Sequence, residues 1–69
     1  MSKVKEYRLK ARLSQSELGK RAGIDDRTVK RCEDGQPIQD VKAAAIADAL
    51  SEALHQTLTI EDLEIAIYP

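Results

Sequence analysis

The sequence predicts an all-α fold, a small bundle of five helices, and three observations carry that expectation. Its 69 residues include no Trp or Phe and only two Tyr, so the core has to be built from Leu, Ile, Val and Ala, which suit packed helices better than a twisted sheet. Three segments, "LSQSEL", "IDDRTV" and "LTIEDL", share one helix-start pattern. Gly23 and Gly35, the latter followed by Pro37, stand where helices begun at the first two of these should stop.

Taken in order, "KVKEYRLKAR" spaces Val4, Tyr7, Leu9 and Ala11 between cations and predicts a first helix. In the second, Ser14 is the N-cap and Glu17 completes a reciprocal capping box, while Leu13 staples onto Leu18. This helix starts near residue 15 and ends near Ala22, where Gly23 can adopt the left-handed conformation. The third starts near residue 26 behind Asp25, with Ile24 reaching Val29, and closes at Gly35 after Asp34. Past Pro37, "QDVKAAAIADALSEAL" sets Val41, Ala45 and Ala49 beside Ile46, Leu50 and Leu54 on one broad face of a fourth helix. The fifth starts near residue 60, with Thr59 as N-cap, Asp62 completing the box and Leu58 stapled to Leu63. Ile60, Leu63 and Ile67 make its helical face, yet Leu63, Ile65 and Ile67 also alternate as a strand would. A strand there would pair with the same strand of a second subunit, because a lone edge strand is unstable.

A chain of this length forms one domain, residues 1–69, and buries only about 60% of the surface its unfolded form exposes. Cys32 is the only cysteine and His55 the only histidine, so neither an internal disulfide nor a zinc site is expected, and no cofactor is implied. No apolar run approaches the roughly 18 to 20 residues that span a bilayer, and "MSKVKEYRLK" has no apolar segment behind it to act as a signal peptide. A cytoplasmic protein is expected. The net charge of −1 conceals a split at Gly35. Residues 1–35 hold ten Lys and Arg against six acids, and residues 36–69 hold one Lys against six acids. One face suits a polyanion, and the other turns away from it or toward another partner.

Two short helices joined by a turn at Gly23, the second of them cationic, form a helix-turn-helix pattern over residues 14–34. The stretch "LSQSELGKRAGIDDRTVKRCEDG" resembles the helix-turn-helix of the phage-repressor and Cro-type (XRE-like) transcriptional regulators. Gln15, Leu18, Gly19, Gly23, Ile24, Val29, Glu33 and Gly35 carry the likeness, which extends from about Val4 to Leu54. The resemblance implies a repressor-like bundle that binds double-stranded DNA in a sequence-specific way and represses transcription.

At about 100° per residue, Asp26, Arg27, Lys30 and Arg31 share one face of the third helix, while Val29 and Cys32 turn inward. Arg and Lys donate to guanine O6 and N7 in the major groove, so the outward face is suited to reading bases, although cations on small domains are often merely solvated. The resemblance implies that Gln15 binds a backbone phosphate or a base, and that Arg8 and Glu33 form a partly buried ion pair. Lys10, Arg12, Lys20, Arg21 and Thr28 are the remaining candidates for phosphate contact. Ser14, Glu17 and Asp25 have structural roles as caps.

Two aspartates at the start of a DNA-reading helix need an account. Asp25 is explained by its cap. A carboxylate about 6 Å from a phosphate, as at Asp26, costs about 0.7 kcal/mol at water's dielectric and nearly 3 kcal/mol at an effective value of about 20. Either Asp26 complements the helix dipole and DNA affinity suffers a little, or it accepts from cytosine N4 and adds specificity.

Other signals are weaker. Cys32 reads as a buried structural thiol, His55 as a surface residue, and Tyr7 either packs on a neighbour or reaches a phosphate. Ser51 and His55 are four residues apart on an exposed helix without an oxyanion hole, so no enzyme is expected. No small-molecule substrate is evident. One domain makes few base contacts, so a homodimer on two half-sites is expected, and residues 51–69, acidic and rich in Ile, are the candidate dimerisation segment. The competing reading is a protein-interaction module, an antirepressor or regulatory partner, that keeps this fold without binding DNA.

Overall fold

The computed structural model describes residues 2–69 and contains four helices: α1 (Val4–Lys10), α2 (Gln15–Ala22), α3 (Asp26–Glu33) and α4 (Asp40–Leu54). The all-α expectation holds, but the fifth helix does not form. Its capping box is present, with the Thr59 amide donating to Asp62 Oδ2 and the Asp62 amide to Thr59 Oγ1, both at 3.0 Å. Only one turn follows. The Leu63 amide donates to the Thr59 carbonyl at 3.1 Å, and the chain then turns out through Glu64 at φ +52°. Leu63 and Ile65 are both buried, at 0% and 7% exposure. On a helix those two side chains would point about 200° apart, so burying both requires the chain to leave the helix between them, as it does at the left-handed Glu64 before running on extended.

That extended stretch pairs within its own chain. It forms a single parallel bridge between Ile67 and Ile38, with the Ile38 amide donating to the Ala66 carbonyl at 3.1 Å and the Tyr68 amide to the Ile38 carbonyl at 3.0 Å. Leu58, Leu63 and Ile65 pack into the chain's own core, leaving Ile67 and Tyr68 about half exposed. Three apolar side chains of the candidate dimerisation segment are thus used within the chain.

Helix ends follow one scheme. After α1, Arg12 takes φ +59°, its amide reaches the Leu9 carbonyl, and the Leu13 amide reaches the Arg8 carbonyl. This is a Schellman closure with arginine where glycine is usual. Gly23 at φ +73° closes α2 in the same way, through the Ile24 amide and the Gly19 carbonyl. His55 at φ +54° ends α4. At the start of α1, Ser2 Oγ accepts from the Val4 amide at 3.0 Å.

Leu18, Ile46, Leu50, Leu63, Val4, Val29 and Cys32 are fully buried and join all four helices to the closing turn. The inward stripe of α4 runs Ala43, Ile46, Ala47 and Leu50. Val41, expected inward, is 74% exposed because it lies off that stripe, and on α1 Leu9 is exposed while Arg8 is buried. Ser51 Oγ sits between the Ala47 carbonyl at 2.7 Å and the Leu58 amide at 2.9 Å, fastening the segment beyond α4 to its last turns. Among the described residues, no helix is long and apolar enough to cross a membrane.

Candidate nucleic-acid interface

Local hydrogen bonds set the two helices of the motif. Ser14 Oγ accepts from the Glu17 amide at 3.0 Å, and Glu17 Oε1 from the Ser14 amide at 2.8 Å. The Ser14 backbone bond is the main reason the Glu17 carboxyl titrates below its ordinary value. At α3, Asp25 Oδ1 accepts from the Thr28 amide at 2.9 Å and from the Thr28 hydroxyl at 3.1 Å, and the amide bond chiefly lowers the pKa of Asp25. Gly19 lets the turn approach α2, since a Cβ there would stand 2.8 Å from the Ile24 carbonyl oxygen.

The two helices are held to α1 by a buried polar cluster. Arg8 Nε and Nη2 donate to Glu33 Oε2 and Oε1 at 2.6 and 3.2 Å, and Arg8 Nη1 donates to the Leu13 carbonyl at 2.9 Å. Gln15 Nε2 adds a bond to Glu33 Oε1 at 3.1 Å. The ion pair implied by the resemblance is therefore present. Gln15's share in it was not foreseen, and one N–H and the carbonyl of its amide stay available for a ligand.

On the outward face of α3, Asp26, Arg27, Lys30 and Arg31 are all exposed, while Val29 and Cys32 are buried. Their states differ. Among the described residues, Asp26 and Arg27 make no side-chain hydrogen bond or ion pair, whereas Lys30 Nζ lies 3.1 Å from Asp34 Oδ2. Arg31 Nη2 donates to the Pro37 carbonyl at 3.2 Å and to the Tyr68 hydroxyl at 3.0 Å. These contacts form the wall of a cleft that Thr28, Ile38 and Lys42 also line. Lys42 was missed by the sequence reading, although it is the one cation of residues 36–69 and stands alone among acids.

Lys10, Arg12, Lys20 and Arg21 are exposed. Lys10 lies 4.9 Å from the centre of the Tyr7 ring, which is itself half-buried, and 3.8 Å from Glu6. Burial pushes the Cys32 thiol up to about 11, the state of an inert core cysteine.

Two short helices clasped about a glycine turn, with the second turning a polar, cation-bearing face to solvent, define a helix-turn-helix protein. The helix-turn-helix domain family matches residues 2–58, and the chain belongs to it, in agreement with the resemblance carried by Gln15 to Gly35. No curated protein and no solved structure matches the chain.

Proposed function

We propose that this protein binds double-stranded DNA in a sequence-specific way and represses transcription, laying α3 in the major groove. The observation that carries this reading is the outward face of α3, where Arg27 is exposed and has no side-chain partner among the described residues, beside Asp26, Lys30 and Arg31 on a helix braced by the Arg8–Glu33 pair. A helix so braced presents donors to base edges at little ordering cost. Gln15, bonded to Glu33 at the far end of α3, has an amide N–H left for a phosphate or a base. Lys10, Arg12, Lys20, Arg21 and Thr28 are the proposed backbone contacts. A homodimer would place two copies of α3 about 34 Å apart on two half-sites.

Selection from a random duplex pool, followed by affinity measurements at two salt concentrations, tests the reading. Six phosphate contacts give log K against log salt a slope near −5. Arg27→Ala should weaken the selected site more than an unrelated duplex. Absence of any enriched sequence would overturn the proposal.

The alternative, a protein-interaction module, draws support from Lys30 and Arg31 being partnered within the chain and from the net charge of −1. A much smaller salt slope toward a protein ligand would distinguish it.

A further inference from the structure

The family match ends at residue 58, so the turn at residues 60–64 and the Ile67 side of the Ile38–Ile67 bridge lie beyond it. Yet Tyr68, in that added segment, touches the outward face of α3 through Arg31. A guanidinium has two forks for a two-point contact, Nε–H with an Nη2–H and Nη1–H with the other Nη2–H. Both use Nη2. In this fold Nη2 has two acceptors of its own, the Pro37 carbonyl at 3.2 Å and the Tyr68 hydroxyl at 3.0 Å, so neither fork is open. Guanine is gripped through O6 and N7 together, which requires a fork, whereas a phosphate oxygen or one base acceptor needs a single donor.

The hydroxyl is held in place from its own backbone. The Tyr68 amide donates to the Ile38 carbonyl at 3.0 Å, and the Ile38 amide is tied to Ala66, which fixes the register of the segment beside the Pro37 carbonyl.

We propose that Tyr68 is a specificity-determining positioning residue: it withholds Arg31 from two-point guanine contact and leaves it single donors, on Nε and Nη1, for a phosphate oxygen or one base acceptor. Base discrimination then falls to the start of α3, to Arg27. This rests on the DNA-binding reading above.

The test compares the full chain with Tyr68→Phe, which keeps the ring and removes only the acceptor, by selection from one random duplex pool. Both are compared below their melting transitions. Freeing one Nη2–H opens one fork, so Tyr68→Phe should gain a guanine preference at one base pair per half-site, roughly tenfold over the other bases. The salt slope should be unchanged, because no charge is altered. Tyr68→Phe combined with Arg31→Lys should lose the gain, since lysine keeps the charge and lacks the fork. Identical preferences in the wild type and Tyr68→Phe would overturn this inference while leaving DNA binding intact. A guanine preference already present in the wild type and lost in Arg31→Lys would also overturn it. If neither protein enriches any sequence, the DNA-binding reading fails and this inference with it.

Discussion

Arg8 and Glu33 meet across the fold as a two-point ion pair, Nε to Oε2 at 2.6 Å and Nη2 to Oε1 at 3.2 Å, with side chains only 10% and 5% exposed. Each group has further bonds, Arg8 to the Leu13 carbonyl and Glu33 to the Gln15 amide, so both charges are satisfied inside the protein. One cluster thereby joins α1, the start of α2 and the end of α3. The orientation of the candidate DNA-reading helix depends on it.

Removing one partner leaves the other charged and buried. Glu33→Ala should cost roughly 3 to 5 kcal/mol, much of the stability of a domain this small, at about 0.05 to 0.15 kcal/mol per residue. Replacing both, as Arg8→Met with Glu33→Leu, should restore most of the loss because no charge is then stranded. Urea unfolding of the three proteins checks this, and a single-variant loss under about 1 kcal/mol would place the pair with surface bridges.

Gly19→Ala sets two effects against each other. Helix propensity favours alanine by about 1 kcal/mol, but the new Cβ would sit 2.8 Å from the Ile24 carbonyl oxygen, a backbone atom that has to shift. Overpacking of this kind costs about 1 to 3 kcal/mol, so a net loss and a lower melting temperature are expected. A rise in melting temperature would mean that the turn gives way freely.

Acid should loosen the start of the motif. Asp25 and Glu17 titrate below their ordinary values in the folded chain because backbone amides donate to their carboxylates. The unfolded chain therefore binds protons first as pH falls. Their contribution is complete above the unfolded values, about pH 4, and is lost as pH drops through the lower folded ones. Asp25→Asn keeps a good cap and cannot titrate, so its urea midpoint should fall less than that of the wild type between pH 5 and pH 3. Equal falls would remove Asp25 from the account.

Asp26 is exposed in the first turn of α3 with no side-chain partner among the described residues. As a complement to the helix dipole alone, it repels phosphates without reading a base. Asp26→Asn should then strengthen binding to every duplex alike, by about threefold if a phosphate lies about 6 Å away in water-like surroundings. Relaxed preference at one base pair would instead identify a cytosine contact.

Much of the motif is legible without coordinates. The helix starts expected near 15 and 26 are those of α2 and α3, and the stop at Gly23 is where the chain turns. A cap joins residues three or four apart, so the order of side chains states it in full. Arg12, His55 and Glu64 take left-handed conformations that no glycine announces. The Thr59 box forms but no helix follows it, because a cap sets where a turn begins and not how far it continues.

The sequence by itself thus determined the helix-turn-helix, its capped starts and the outward cations of α3, because each arises from contacts or periodicity within a turn or two. Tertiary structure decided the rest. Core burial of both Leu63 and Ile65 cut the last helix to one turn, and the bridge to Ile38 brought Tyr68 onto Arg31. Such contacts depend on chain closure over tens of residues, and no local pattern encodes which distant groups share a surface.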